Sequence, residues 1–185
     1  MRRLTLILSL LAAVAAIAGC GDKLSVVKFA DTEGTSVDVA GLTYQVQISR
    51  YLNPNDPEDK FYLRGMPQGT DLDPGKDSVW FGIFMRVKNQ SGGTLTPTTQ
   101  FTITDTEKNK FQPLPLNEQE NPFVYVPVAI PHAGVLPEPE SPAATGPIQG
   151  SMLLFRIKAD SLQNRPLVLH IVGAGGDEAT VDLDL

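Results

Sequence analysis

Val79-Trp80-Phe81-Gly82-Ile83-Phe84-Met85-Arg86-Val87 is the strongest apolar run after the first twenty residues. Trp80, Phe81 and Phe84 put bulky side chains on both alternating faces, so the stretch reads as a central strand buried on both sides along much of its length. A strand of that kind needs neighbours in its own sheet and layers above and below. Upstream, Leu42, Tyr44, Val46 and Ile48 alternate with Thr43, Gln45, Gln47 and Ser49, the period-two pattern of a strand with one wet face. Ser36 to Ala40, joined to it through Gly41, is expected as a short partner strand.

Downstream, Phe101-Thr102-Ile103-Thr104 alternates again before Lys108-Asn109 turns the chain toward Phe111. Three closing strands are expected at Gly150 to Ala159, Leu167 to Val172 and Ala179 to Leu185. Phe61 to Leu63 reads as a further short strand, and Gly65 to Asp77 as a loop. Pro113 to Pro147 holds nine of the 15 prolines around the apolar patch Phe123-Val124-Tyr125-Val126, and it is too long for an ordinary hairpin connection. No internal repeat and no amphipathic helix of 3.6 period stands out. Some seven to nine short strands separated by turn signals imply an all-β protein built as a β-sandwich.

The order Val79 to Val87 followed by Lys88-Asn89 and Gly92-Gly93, then Phe101-x-Ile103-x-Asp105 with a polar turn and Phe111, then Gly146 and Gly150-x-x-x-Leu154-Phe155, resembles immunoglobulin-like domains of unknown function on extracellular bacterial lipoproteins. The resemblance runs from about Leu42 to the C-terminus. It implies an immunoglobulin-like β-sandwich carrying a long proline-rich insertion at Pro113 to Pro147, with the Asn and Gly positions as turn devices and no catalytic set.

The N-terminus carries a different message. Met1-Arg2-Arg3 precedes an apolar run from Leu4 to Ile17, and Ile17-Ala18-Gly19-Cys20 closes it with the chain's single cysteine. A basic n-region and an apolar stretch shorter than the roughly 20 residues that span a bilayer make a secretory signal. The stretch resembles the bacterial lipoprotein signal, or lipobox, in which cleavage precedes a lipidated cysteine. That resemblance implies a thioether-linked diacylglycerol on Cys20, and two acyl chains give stable anchoring where one does not. Ala16-Ile17-Ala18 also satisfies an ordinary A-x-A cleavage site. That alternative would leave an unpaired thiol on a secreted protein, the less economical design.

Three segments follow: a signal peptide over 1–19, a lipidated N-terminus and tether over 20–36, and the sandwich domain over 37–185. Apolar residues within the tether, Leu24, Val26, Val27 and Phe29, lead to the expectation that part of it docks on the body. Removing the first 19 of 185 residues leaves 166; two arginines go with them, so 15 basic side chains become 13 against 21 acidic, a formal charge of −8. That balance argues against a nucleic-acid or anionic-lipid surface, both of which select for clustered Lys and Arg. It suits a soluble extracytoplasmic body held clear of a negatively charged membrane while the lipid on Cys20 anchors it, and an envelope protein is the expected partner.

Chemistry-bearing constellations are sparse. Asp71-x-Asp73-x-Gly75-x-Asp77 spaces carboxylates as a calcium loop does, yet it lacks the sixth-position Gly and the distal Glu of an EF-hand. Solvated turn carboxylates are the plainer reading, there and at Asn53, Asn55, Asp56, Glu58 and Asp59. His132 and His170 stand apart from other nitrogen or sulfur donors, which disfavours copper or zinc, and Met66, Met85 and Met152 read as core fillers. No G-x-S-x-G or H-E-x-x-H motif occurs after the signal. Gly173-Ala174-Gly175-Gly176 leads into a strand where a phosphate would want a helix. The expectation is therefore a non-enzymatic protein with no cofactor.

One segment suits recognition. Arg50, Tyr51, Asp59, Tyr62 and Arg64 bracket an acidic loop with guanidinium and phenol groups, residue types favoured at protein interfaces. The same residues could instead form a self-satisfied turn, with Arg50 or Arg64 paired to Asp56 or Asp59. The functional expectation is a membrane-anchored lipoprotein with a structural or protein-binding role; the alternative is a small-ligand- or ion-binding envelope lipoprotein, with calcium at the acidic loops ahead of copper or zinc.

Overall fold

The computed structural model describes residues 25–184. Cys20 and the signal segment lie outside the described residues. The body is an all-β sandwich of two sheets. The first sheet has the order β1-β10-β9-β5-β6, with β1 Phe29–Ala30, β5 Gln100–Thr104, β6 Lys110–Phe111, β9 Leu167–Val172 and β10 Glu178–Leu183. The second has the order β2-β3-β4-β7, with β2 Ser36–Val39, β3 Leu42–Leu52, β4 Ser78–Asn89 and β7 Val135–Leu136; β8, Ser151–Lys158, lies along the remainder of β4.

β4 is the central strand that its sequence announces. It pairs with β3 from Leu42↔Asn89 to Leu52↔Trp80, and with β8 from Ser78↔Lys158 to Met85↔Ser151. Phe81, Ile83, Met85 and Val87 face the core between the sheets, where Tyr44, Phe101, Leu169 and Val181 meet them. Trp80 and Phe84 point the other way into a second apolar cluster with Leu52, Tyr62, Leu63, Met152 and Leu154. Gly82 lies between them, and a Cβ there would meet Leu52 Cδ1 at 3.1 Å and Phe84 Cε2 at 3.2 Å. The absent side chain is what allows that close packing. Trp80 Nε1–H is satisfied by the Leu72 carbonyl at 2.7 Å, so its full burial leaves no orphaned donor.

The proline-rich segment covers this second cluster and an edge. Leu114 N–H donates to the Leu154 carbonyl at 2.7 Å, Tyr125 N–H to the Met152 carbonyl at 2.8 Å, and Met152 N–H to the Phe123 carbonyl at 2.7 Å. These bonds satisfy the side of β8 that would otherwise be an open edge. Successive alternate residues then serve both cores: Phe123 packs on the outer cluster, while Tyr125 enters the inner one and meets Phe101 edge-to-face at 5.2 Å. A one-turn helix, α2 Pro142–Thr145, follows before β8.

Docking of the N-terminal segment begins at Val27. Its N–H donates to Asp38 Oδ2 at 3.0 Å, and Lys28 Nζ reaches the Asp38 carbonyl at 2.7 Å and Asp177 Oδ1 at 2.5 Å. β1 then runs parallel to β10 with Phe29↔Thr180, and Glu33 accepts from both the backbone N–H and the hydroxyl of Ser49 on β3. The last part of the expected tether therefore supplies an edge strand to one sheet and a cap to the other.

The structure departs from the sequence reading at two of the expected strands. A bulge between Val46 and Ile48 reverses the faces of β3, so Ile48 is exposed and Ser49 is buried against Glu33. Phe61 to Leu63 is not a strand; Asp59–Tyr62 forms a one-turn helix, α1. Asp56 Oδ1 accepts the N–H groups of Glu58 at 2.8 Å and Asp59 at 3.3 Å, and Lys60 N–H bonds the Asp56 carbonyl at 3.1 Å. The Asp side chain thus offers the backbone a turn in place of a ladder. Three residues with two buried members fit either geometry, so periodicity alone could not separate them.

Candidate functional site

β3 carries Arg50 and Tyr51 to one end of the sandwich, and α1 returns Asp59 and Tyr62 against them. Arg50 Nη2 donates to Asp59 Oδ1 and Oδ2 at 2.8 and 2.9 Å, and its Nε reaches the Tyr51 carbonyl at 3.2 Å. Asn53 N–H adds a bond to Asp59 Oδ2 at 2.8 Å. Asp59 is only 2% exposed, so this carboxylate is a buried clamp that closes the 50–59 excursion. The ion-paired turn weighed from sequence is present, in the Arg50–Asp59 combination.

Tyr62 lies beneath. It is 4% exposed and packs edge-to-face on Phe84 at 5.0 Å and on Phe123 at 4.9 Å. Burial pushes its phenol up, opposed by a hydrogen bond from the Ile148 backbone and by Arg50. Arg64 is exposed and stacks over the Phe61 ring at 4.3 Å, a cation–π contact that holds both at the surface.

A cleft of about 230 Å³ opens at this end, lined by Arg50, Glu58, Asp59, Phe61, Tyr62, Phe123, Pro147 and Ile148. The five residues singled out from sequence divide in two. Arg50, Asp59 and Tyr62 line the cleft, the last two with little exposed surface and chiefly as support, whereas Tyr51 and Arg64 reach solvent outside its lining. Phe61, Phe123, Pro147 and Ile148 were missed. Phe61 lies in the right segment but its exposure follows from the helical turn. The other three come from residues far along the chain, where no local pattern points to this end.

Asn121 is the hidden organiser. It is fully buried; its Nδ2 donates to the carbonyls of Tyr62 at 2.9 Å and Arg64 at 3.0 Å, and its Oδ1 accepts Phe123 N–H at 3.0 Å. One side-chain amide thereby fixes α1 to the opposite wall of the cleft.

The other constellations resolve locally. Asp71 and Asp73 each accept a backbone N–H two residues on, at 3.0 and 2.9 Å, the bonding of ordinary Asx turns. Among the described residues, no group of three or more His, Cys, Asp or Glu side chains is arranged to hold a metal ion. Met85 and Met152 are buried in the cores and Met66 packs against the outer one. His132 Nδ1 meets the Ser91 carbonyl at 2.5 Å.

Thr104, His170 and Glu178 form an unexpected line: Thr104 Oγ1 is 2.9 Å from His170 Nε2, and His170 Nδ1 is 2.7 Å from Glu178 Oε1. The order imitates a nucleophile, base and orienting acid. The three stand on neighbouring strands of the first sheet, half-buried or exposed, and apart from the cleft described above. Hydrolysis needs such groups to converge in a concave site with oxyanion donors, so the array reads as a cross-strand hydrogen-bond ladder.

The sandwich has a solved counterpart. The crystal structure of the yjhA protein from Bacillus subtilis aligns with a TM-score of 0.50 at 9% identity, covering 83% of this chain and 99% of that one. A crystal structure described as an uncharacterized beta-sandwich protein from Clostridium difficile 630 aligns with a TM-score of 0.43 at 8% identity, over 85% and 96%. At such identity the first likeness is one of fold alone. No protein-family model matches the sequence, and no curated protein matches it.

Proposed function

We propose that this chain is a membrane-anchored extracytoplasmic lipoprotein whose sandwich has a structural or protein-binding role, with the cleft end as its contact surface. Anchoring rests on Arg2-Arg3, the apolar run and Ile17-Ala18-Gly19-Cys20. The observation that carries the binding role is exposed Phe61, 47% exposed and stacked against the Arg64 guanidinium, set beside Arg50 in the lining of one cleft. Exposed aromatics beside arginine are the side chains that dominate interface energetics.

Two experiments test the reading. Metabolic labelling with an alkyne fatty acid should mark the wild-type chain and leave Cys20→Ala unlabelled and soluble; label on the variant overturns the anchor. A photo-crosslinking residue at Phe61 should trap a defined envelope protein on intact cells, and the adduct should disappear with Arg64→Ala. The same adducts from a probe at Thr99, or none from Phe61, would remove the cleft end as the contact surface.

A further inference from the structure

The two ends of the sandwich differ in charge, and the chain joins the body at one of them. β3 runs from the turn at Ala40–Gly41 toward Arg50 and the cleft, so these mark opposite ends. Turns at the first end, 40–41, 90–99, 131–134 and 173–177, carry one side chain charged at neutral pH, Asp177. Asp177 is already paired with Lys28 at 2.5 Å. Turns at the cleft end, 53–60, 64–77, 105–110 and 158–165, carry nine acidic and seven basic side chains.

The N-terminal segment meets the body at the sparsely charged end. Val27 is fixed to Asp38, Asp38 is level with Thr43 on β3, and Asp177 Oδ2 accepts Ala40 N–H at 2.7 Å. Only six residues, 21–26, separate Cys20 from Val27, so the connection spans at most about 25 Å when fully extended.

Resting on the anchoring proposed above, we infer that the sparsely charged end of the sandwich faces the lipid bilayer, while the cleft lined by Arg50 is presented on the far side. The lengths decide it. From Thr43 to Leu52 is nine residue steps along β3, on the order of 30 Å. An inverted body would hold Val27 that far above the bilayer, beyond the reach of the connection. Electrostatics selects the same pose. The first end carries Asp177 in its turns, already neutralised by Lys28, so it repels anionic headgroups little, whereas the acidic excess at the cleft end favours the aqueous side. Exposed Val26, next to the docking point, adds apolar surface where headgroups would lie.

Because Cys20 is the single cysteine and carries lipid in the anchored protein, introduced thiols can be labelled selectively. Gly92→Cys adds a probe at the sparsely charged end, where a Cβ meets nothing within 4 Å, and Asn55→Cys adds one beside the cleft. The full-length variants, purified from membranes and reconstituted in phosphatidylcholine vesicles with nickel-chelating headgroup lipids, should float with the vesicles. The dye at position 92 should then be quenched several-fold more than the dye at 55. Flotation with equal or reversed quenching overturns the orientation and leaves the anchor standing. Failure of the wild-type chain to float, or a reactive thiol at Cys20, overturns the anchor and the orientation with it.

Discussion

Arg50 and Asp59 are locked together by a single guanidinium nitrogen bonding both carboxylate oxygens, at 2.8 and 2.9 Å, with the arginine side chain 40% exposed and the aspartate 3%. The asymmetry sets what mutation does. Removing Arg50 leaves a buried carboxylate supported by Asn53 N–H alone among neutral partners. Arg50→Ala should cost about 1–3 kcal/mol, below the range for a fully buried broken pair because solvent reaches the arginine. Arg50→Ala combined with Asp59→Asn should recover part of that loss, and chemical denaturation of the set checks it. A binding defect in Arg50→Ala alone would therefore confound folding with recognition, which is why Arg64 and Phe61 are the better probes of contact.

Tyr62 belongs to the outer core. Tyr62→Ala should destabilise by about 3–5 kcal/mol, the range for large aromatic truncation, since the ring fills the space between Phe84 and Phe123. Tyr62→Phe keeps that packing and should lose roughly 1 kcal/mol or less. Thermal unfolding separates the two, and equal losses would contradict the packing role.

Asp105 ties the β5–β6 turn to the loop before β9. Desolvation pushes its carboxyl up, but bonds from the Ser161 hydroxyl, from the Asn109 side chain and backbone, and from Asn164 outweigh it and hold it down at about 2. A folded value below the unfolded one means that the stabilisation is full above the unfolded pKa, near 4, and fades as pH falls from there toward 2. Asp105→Ala should abolish that acid-sensitive component. It also strands the fully buried Ser161 hydroxyl, adding about 1–3 kcal/mol of destabilisation. Stability measured from pH 2 to 6 in both chains checks the sign.

Asp182 is shifted the opposite way. Desolvation first, then the charges of Asp31 and Asp184, push its carboxyl up, so its ionised form opposes folding above the folded pKa and this penalty is relieved as pH falls through it. Asp182→Asn should raise the melting temperature at pH 7 and confer no gain at pH 3. A gain that persisted in acid would point to packing in place of charge.

Asn121 offers a test of the cleft's construction. Asn121→Ala removes the donors to Tyr62 and Arg64 and the acceptor for Phe123 N–H at a fully buried position. A loss of about 2–4 kcal/mol is expected from stranded backbone groups. Hydrogen exchange should show α1 and residues 117–123 opening together; opening of α1 alone would mean that the amide is not the link.

Much of the fold was legible because sheets write themselves locally. Alternation at Leu42 to Val46 and the doubly apolar run at Val79 to Val87 each state a burial pattern that needs no distant partner to be read, and both became strands in the second sheet; beyond Val46 a bulge reverses the faces, leaving Ile48 39% exposed and Ser49 buried. The missed helix α1 shows the limit. Its direction was set by Asp56 bonding the backbone, a choice that hydrophobic period does not encode.

The sequence by itself determined the two-sheet architecture, the acidic charge and the presence of one cysteine behind a signal-like run, because composition and period-two patterning are properties of contiguous residues. Only the tertiary structure decided which of Arg50, Tyr51, Asp59, Tyr62 and Arg64 reach solvent, and that the cleft's other wall is Phe123, Pro147 and Ile148. It also placed the N-terminal docking point and the cleft at opposite ends. Those outcomes depend on contacts between segments tens of residues apart. The buried Asn121 amide fixes the cleft walls and the bonds of Lys28 to Asp177 fix the docking point, and a local pattern carries no record of such partners.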